Sequence, residues 1–213
     1  EPGLESRINN AKFHLRPGLT CVTSSSTSRN SYLSNEPQSP HNVSAVSCRT
    51  VLGIETSGLS GSVALLRNGE SVECRSLDQP GRRHAQSLVL EIKEILAAHQ
   101  LTPSQVDAVA VSRGPGSFTG LRVGLVCAKT FAFATGCRFV AVDTFMTVAM
   151  NCPSDVQDLW VVDDAQRGDL VVGRYLRTGN TWRLTDPVAI FEAEEWLAKR
   201  GSDEIIAGRG LLR

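Results

Sequence analysis

The chain has 213 residues, 41% of them apolar, and its 22 basic side chains balance its 22 acidic ones, so the formal net charge is zero. This is the balance of an ordinary globular protein. A zero net charge argues against a protein that holds RNA through its own surface, because neutralisation of phosphates drives that binding. The six cysteines form no C-x-x-C pair, which argues against a zinc knuckle, and no signal-peptide pattern opens the chain. We therefore expect a cytoplasmic protein with reduced thiols.

Residues 1–48 differ in composition from the rest of the chain. A run from Ser24 to Pro40 is rich in Ser, Asn and Pro and holds few bulky apolar side chains. Such a segment cannot bury enough apolar surface to offset the entropy lost on ordering. We therefore expect residues 1–48 to be disordered, or to be an extension unrelated to the fold, and order to begin near Thr50.

Three strands are predicted to open the ordered part. Short apolar runs over 51–56, 61–67 and 70–77 have strand character. Asn68-Gly69, between the second and third runs, is a strong signal for a hairpin with a type I′ turn. The three strands are therefore expected to be antiparallel.

Helices and strands alternate after this hairpin. Apolar side chains from Ala85 to His99 recur at the spacing of one helical face. Residues 102–105 have the pattern of a capping box with proline at the first helical position, which predicts a single helical turn. The next elements are predicted as a strand over 107–112 and a glycine loop over 114–120. They are followed by a helix over 121–135 that Gly136 caps, a strand over 138–142 and a short helix over 144–151.

The resulting order, three strands and then helix, strand, helix and strand, predicts an α/β fold of the ribonuclease-H-like, actin-like (ASKHA) type. Residues 49–152 would form its complete first lobe. Residues 153–213 would form a partial second lobe, which we expect to be truncated. Its predicted elements are strands over 159–162, 170–177, 181–184 and 204–207 and a helix over 192–199.

The end of the first strand is one candidate site. Glu55, Thr56 and Ser57 precede a tight turn, and Ser62 follows it. A carboxylate, hydroxyls and backbone N–H groups in this arrangement can hold a metal-bound phosphate. The same residues would equally form a polar hairpin turn with local hydrogen bonds. Both interpretations stay open on the sequence.

The glycine loop is a second candidate site. It leads into a helix N-terminus, where an anion can meet free N–H groups and the positive end of the helix dipole. It lacks the Gly-Lys-Ser/Thr of a Walker loop and the flanking glycines of a nucleophile elbow. Its glycines would also permit close packing in a strand-to-helix turn, which is the alternative. Its candidate phosphate-binding residues are Gly114, Gly116, Ser117, Thr119 and Gly120.

A family resemblance becomes specific at this loop. Gly-Pro-Gly-Ser-Phe-Thr-Gly-Leu-Arg-Val-Gly, residues 114–124, resembles the signature of the TsaB family, formerly described as inactive glycoprotease-like (peptidase M22-like) proteins. Ile-Glu-Thr-Ser at 54–57 with Ser-Val-Ala-Leu at 62–65 resembles that family's first phosphate-loop strand pair, and Arg-His-Ala-Gln at 83–86 resembles its helix start. The resemblance runs from about Val51 to Val148 and continues weakly to residue 210.

The resemblance implies a non-catalytic scaffold subunit in bacterial synthesis of threonylcarbamoyladenosine in tRNA. It implies pairing with the catalytic paralogue TsaD, which the chain would activate, assembly with the ATPase TsaE, and contact with tRNA through the complex. Self-pairing through the same face is a further expectation. The resemblance implies no catalytic residue and no cofactor of the chain's own, with ATP or ADP only at the interface of the complex.

Two departures from the family pattern bear on metal binding. Glu55 stands where the family usually has Asp. In the catalytic paralogue a His-x-x-x-His pair binds metal, and the matching positions here are Thr144 and Val148, of which Val148 has no donor atom. We therefore expect no metal, and we expect the lone His84 to cap or pack rather than to bind a ligand.

The two predicted helices of the first lobe also suggest an interface. The second helix is apolar nearly all round, so it needs a second cover besides the sheet. Its small residues at spacing four, from Gly120 to Ala132, would permit close approach of a partner helix. The stripe on the first helix would face either the sheet or a partner. The predicted interface residues are His84, Leu88, Arg122, Val123, Val126 and Phe131.

Two enzymatic functions remain as alternative hypotheses. A metallopeptidase of the glycoprotease type would need metal ligands that Thr144 and Val148 do not supply. A stand-alone actin-like ATPase would need a two-lobe cleft and a catalytic carboxylate, for which Glu55 is the candidate.

Overall fold

The computed structural model describes residues 48–77, 84–179 and 181–211, without the side chains of residues 84–86. The predicted N-terminal extension, apart from residue 48, lies outside the described residues. Among the helices described, none combines the length and the apolar character that a membrane crossing would require.

An antiparallel hairpin pair opens the first sheet. Strand β1 (Thr50–Glu55) pairs with β2 (Ser62–Arg67), and β2 pairs with β3 (Glu70–Ser76). Asn68 and Gly69 between β2 and β3 have φ angles of 55° and 87°. These positive values are those of a type I′ turn, so the predicted hairpin is confirmed.

Two parallel strands complete this sheet. Strand β4 (Ala108–Ser112) lies parallel to β1, and β5 (Arg138–Val142) lies parallel to β4. The strand order is therefore β3-β2-β1-β4-β5. This confirms the predicted ribonuclease-H-like half of an actin-like fold.

Two helices pack on this sheet. Helix α1 spans His84–Ala98 and contacts β2 and β3, whereas α2 spans Phe118–Thr135 and contacts mainly β4. Between them, Pro103–Gln105 form the predicted single turn. Each leucine or isoleucine fully buried here contributes on the order of 2 kcal/mol. The core between this sheet and its helices includes Leu52, Val63, Leu65, Leu88, Ile95 and Val109.

Helix α2 begins three residues earlier than the sequence predicts. Ser117 is its N-cap, and the Ser117 Oγ accepts a hydrogen bond from the Gly120 N–H at 3.2 Å. This bond satisfies a donor that the first turn would otherwise leave unpaired, so the helix can start at Phe118. Gly136, with φ 74°, ends the helix as predicted.

A second sheet follows. Its strands are β6 (Asp158–Gln166), β7 (Asp169–Thr178), β8 (Thr181–Leu184), β9 (Ala189–Glu192) and β10 (Ile206–Ala207). The order is β10-β6-β7-β8, and β9 also pairs with β7. The sequence predicted β6 and β7 too short and β10 too long, and it missed β9.

The two sheets have the same order of antiparallel and parallel strand pairings. Read as β8-β7-β6-β10, the second sheet has two antiparallel pairings followed by a parallel one. The sequence β3-β2-β1-β4 in the first sheet has the same pairings. The second half of the chain therefore repeats the pattern of the first, as a two-lobe actin-like fold requires.

Two short helices cover opposite faces of the second sheet. Helix α3 (Thr144–Met150), which lies within the predicted first lobe, packs instead on β6, β7 and β8 through Phe145 and Ala149. Helix α4 (Ala193–Ala198) lies over the other face, where the ring of Trp196 meets that of Trp160 edge-on at 5.5 Å.

Candidate functional site

The two predicted phosphate-loop segments lie against each other. The Ser117 N–H donates a hydrogen bond to the Ser57 carbonyl at 2.7 Å. A Cβ on Gly116 would lie 2.5 Å from the same carbonyl oxygen, and a Cβ on Gly120 would collide with the carbonyl of Thr56. The glycines of the loop therefore allow α2 to approach the backbone that follows β1.

The carboxylate of Glu55 is engaged within the turn. The Glu55 Oε1 atom accepts a hydrogen bond from the Ser57 N–H at 2.5 Å and another from the Ser112 Oγ at 3.1 Å. Thr56 and Ser57 are 0% and 2% exposed, and Ser62 is half-buried. This geometry supports the polar-turn interpretation of the first candidate site.

The glycine loop uses its polar groups in the same way. Ser117 accepts two hydrogen bonds from the first turn of α2. Its Oγ atom accepts one from the Gly120 N–H, and its carbonyl oxygen accepts one from the Leu121 N–H at 2.8 Å. Gly114, with φ 107°, accepts from the Thr144 N–H at 2.9 Å, whereas Thr119 is exposed. The hydrogen bond between Ser117 and Ser57 and the burial of Thr56 and Ser57 favour the close-packing interpretation of the loop, and phosphate binding by the two segments stays a prediction.

The small-residue ridge of α2 faces inward. Gly124 and Ala128 are buried, and a Cβ on Gly124 would collide with the Thr56 Oγ1. That hydroxyl is buried and has no hydrogen-bond partner among the described residues. The prediction that the ridge receives a partner helix is therefore wrong, since the chain's own first sheet occupies it.

An arginine from the end of the second sheet joins the two lobes beside this site. The Arg209 Nη2 atom donates to the Asp163 Oδ2 at 2.5 Å and to the Ser57 carbonyl at 3.3 Å. The guanidinium also lies against Gly58, where an added Cβ would require Arg209 to move. Sequence reasoning did not single out Arg209 or Asp163, which lie 46 residues apart in the chain.

Replacing Arg209 with Met is expected to lower the free energy of unfolding by about 1–2 kcal/mol, because the carboxylate of Asp163 stays largely buried without its cation. Urea denaturation measures this change. Arg183→Met, at an exposed arginine on β8, is the control and should change stability by less than about 0.5 kcal/mol. Equal effects of the two substitutions would contradict a bridging role for Arg209.

The positions that match the paralogue's metal ligands lie at the junction of the lobes. Thr144 is 5% exposed and its Oγ1 has no hydrogen-bond partner among the described residues, while Val148 packs against the core of the second sheet. Nearby, the Tyr175 Oη donates to the Asp143 Oδ1 at 3.2 Å. In the part of the chain that the structure describes, no three His, Cys, Asp or Glu side chains lie together as a metal site would require.

Burial, and then the negative charge of Asp143, hold the pKa of Tyr175 above its usual range. The unfolded chain loses this proton near pH 10, whereas the folded chain keeps it to higher pH, so stability should fall as the pH rises above about 10. The slope attributable to Tyr175 is about 1.4 kcal/mol per pH unit. Urea denaturation of the wild type and of Tyr175→Phe between pH 8 and 11 tests this, and parallel pH profiles would contradict it.

The predicted interface residues divide into exposed and buried groups. Arg122 is exposed and Val126 is 58% exposed, so both are available to a partner. Leu88 is 1% exposed within the chain's own core, so it is not available to a partner. Val123 and Phe131 are half-buried and pack against that core. The side chain of His84 lies outside the described residues.

The most exposed apolar side chains of the two helices were not among the predicted interface residues. Phe133 and Phe118 are 92% and 79% exposed on α2, and Val89 is 64% exposed on α1. Positions 122, 126, 129 and 133 recur every three or four residues, and all are exposed. The sequence could have revealed this stripe if Gly120, Gly124 and Ala128 had first been recognised as the side of α2 that faces the sheet, because the stripe lies on the opposite side of the helix.

A family comparison covers more than half of the chain. Residues 78–205 match the family model of TsaD, tRNA N6-adenosine threonylcarbamoyltransferase. The chain therefore belongs to the family that this model describes, and its fold is actin-like.

Relatives within that family are more specific. The chain is 41% identical over 100 residues to the tRNA threonylcarbamoyladenosine biosynthesis protein TsaB of Haemophilus influenzae, a match that covers 47% of this chain and 42% of that protein. It is 29% identical over 147 residues to TsaB of Escherichia coli, covering 68% of this chain and 63% of that protein. The solved structure of YeaZ from Pseudomonas aeruginosa superimposes with a TM-score of 0.60 at 29% identity, over 67% of each chain.

The chain belongs to the TsaB family. This confirms the resemblance seen in the sequence, and the matched relatives are named as threonylcarbamoyladenosine biosynthesis proteins. The aligned regions span from 42% to 63% of the H. influenzae and E. coli relatives.

Proposed function

We propose that the chain is a non-catalytic scaffold subunit in the synthesis of threonylcarbamoyladenosine in tRNA, where it pairs with the transferase TsaD and activates it. TsaE and tRNA would join through the complex. The observation that carries this proposal is the exposed stripe on α2, which we call the α2 face and define as Arg122, Val126, Lys129 and Phe133 together with Val89 and Lys93 of α1.

The exposure of this face favours a protein partner. Val89, Val126 and Phe133 are 64%, 58% and 92% exposed, although the other sides of both helices pack on the sheet. Apolar side chains exposed on two helices that otherwise pack on a sheet are typical of an interface, because a partner would remove them from water. The matching partner element would be a second pair of helices, packed at about 8–10 Å between axes.

The polar segments near α2 support a scaffold rather than an enzyme. Glu55, the candidate catalytic carboxylate, is tied to Ser57 and Ser112 by hydrogen bonds. Thr56 and Ser57 are buried. In this proposal ATP or ADP would be bound only where the partner contributes residues, and the exposed Arg113 and Thr119 are the side chains of this chain that could reach that boundary.

Reconstitution tests the proposal. The purified chain, TsaD and TsaE from the same source are mixed with tRNA and the substrates of the pathway, and modified adenosine is quantified by mass spectrometry. We expect no product from the chain alone and a clear gain when the chain is added to TsaD and TsaE. Modified tRNA made by the chain alone, or no gain on its addition, would contradict the scaffold function.

A further inference from the structure

Strand β5 forms one edge of the first sheet, and among the described residues it pairs only with β4. At its start, the Arg138 N–H donates to the carbonyl of Asp107 at 3.0 Å. In a parallel pairing both backbone groups of every second residue point toward the neighbouring strand, so alternate residues counted from Arg138 face β4. Phe139 and Ala141 therefore each direct an N–H and a carbonyl away from the sheet.

The two edges of this sheet differ in how they are protected. Strand β3, at the opposite edge, carries three charged side chains, and Val72 is an extra residue that shifts its register on β2. Charges and bulges are the usual means by which an edge strand avoids pairing with another chain. Strand β5 has a regular register and one charged side chain, at its first residue. Its apolar Phe139 and Val140 are 37% and 43% exposed, so this edge is open to a further strand.

We propose that β5 is a self-association edge, at which two copies of the chain pair their β5 strands antiparallel about a two-fold axis at Val140. In this register Phe139 of one copy lies opposite Ala141 of the second copy. Each such pair exchanges two backbone hydrogen bonds, so all four outward groups of each copy find partners. The inference goes beyond the proposed function, because it concerns a sheet edge and a second copy rather than the α2 face and TsaD.

The side chains of β5 fit the same register. The large Phe139 lies opposite the small Ala141, and Val140 meets its own copy at the axis, where β-branched pairs stabilise a sheet. Arg138 lies opposite Val142, so the two arginines are offset by four residues, about 13 Å along the strands. A parallel pairing would place the arginines side by side. The strand is therefore self-complementary in hydrogen bonds, size and charge, which favours a second copy as its partner.

Proline substitution tests this edge. Ala141→Pro removes an outward N–H, and proline is tolerated in an edge strand where the N–H faces solvent. The matched control is Cys74→Pro on β3. There the Leu77 N–H donates to the Gly61 carbonyl at 2.8 Å, so alternate residues counted back from Leu77 face β2 and Cys74 directs its N–H outward.

Sedimentation equilibrium of the full chain measures the effect of the two prolines. At about 100 µM we expect dimers of the wild type and of Cys74→Pro, and association on the order of a hundredfold weaker for Ala141→Pro, because the lost bond occurs twice in the dimer. A monomeric wild type at this concentration, or equal association of the two variants, would overturn the proposal. Loss of the dimer in Val126→Glu/Phe133→Glu but not in Ala141→Pro would also overturn it, since self-association would then use the α2 face.

A second variant, Val140→Lys, tests the edge without altering the backbone. Val140 is 43% exposed, so the monomer keeps the lysine in water, whereas in the dimer two lysines would meet at the axis. Association should weaken about tenfold at about 50 mM NaCl and by less at about 500 mM, where salt screens the repulsion. Unchanged association of this variant at low salt would contradict the two-fold axis.

A cysteine at the axis tests the register itself. Opposed residues of a non-hydrogen-bonded antiparallel pair have Cα atoms about 4.5 Å apart, which is within the range of a disulfide. With oxidised glutathione, Val140→Cys should form a dimer linked through position 140, identified by mass spectrometry of the linked peptide. Phe139→Cys is the control and should not link to its own copy, because Ala141 lies opposite it. Equal linking of the two variants would show that the register is wrong.

Discussion

The double substitution Val126→Glu/Phe133→Glu is expected to weaken binding to TsaD by about a hundredfold or more, while the free energy of unfolding changes by less than about 1 kcal/mol. Both side chains are mainly exposed, at 58% and 92%, so the chain's own core does not depend on them. In the complex they would be buried, and a buried carboxylate without a partner is costly. Titration calorimetry and urea denaturation measure the two effects separately.

Two further variants serve as controls for this prediction. Ile190→Glu introduces the same charge at a 65% exposed apolar side chain on β9 and should leave TsaD binding unchanged. Phe131→Glu should lower stability as well, because Phe131 packs against the core of the first sheet. Full binding by Val126→Glu/Phe133→Glu would show that the α2 face is not the site of pairing.

The second large effect concerns the packing of α2 on β1. Gly120→Ala is expected to lower the free energy of unfolding by about 2–3 kcal/mol, because its Cβ would collide with the backbone carbonyl of Thr56. Elsewhere in a helix the same change would add about 1 kcal/mol of stability. Gly124→Ala should also destabilise, but there the colliding atom is the side-chain hydroxyl Oγ1 of Thr56.

This difference gives a specific test. Thr56→Ala removes the Oγ1 atom, so it should restore much of the stability lost in Gly124→Ala and none of that lost in Gly120→Ala. Urea denaturation of the single and double variants measures the coupling. Gly201→Ala, where a Cβ would make only an ordinary contact at 4.0 Å, is the control and should be nearly neutral. Rescue of both variants, or of neither, would contradict the contacts of Gly120 and Gly124 with Thr56.

The sequence predicted the first sheet well because its signals are local. Asn68-Gly69 specifies its turn through positive φ angles, and Gly136 ends α2 in the same way. The apolar run of β4 indicates a strand covered on both faces. Each of these features depends on a few adjacent residues, so tertiary contacts do not alter it.

Long-range contacts were not predictable in the same way. Strand β9 is only four residues long, Ala189–Glu192, and it pairs with residues 169–172 of β7, a part of that strand that β8 does not reach. The true start of α2 depends on one hydroxyl, that of Ser117. The direction of the glycine ridge depends on β1, more than 60 residues away, and no local pattern shows that the ridge faces the sheet.

The candidate site illustrates both situations. The sequence identified Glu55, Thr56 and Ser57 and the glycine loop as two separate candidate phosphate-binding segments, and the structure places them in contact. For each segment the sequence left open whether it binds a phosphate or is a structural turn. The hydrogen bond from Ser117 to Ser57 and the burial of Thr56, both of which depend on distant residues, favour the structural turns.

The Arg209 bridge has a consequence for how the lobes can separate. Its bond to Asp163 is 2.5 Å long and its bond to the Ser57 carbonyl 3.3 Å, so a rotation of the second sheet away from the first breaks the longer bond first. Arg209 then travels with Asp163, and the Ser57 carbonyl keeps the Ser117 N–H as its donor. At this contact, opening therefore costs a single weak hydrogen bond, on the order of 1 kcal/mol, and strands no buried polar atom.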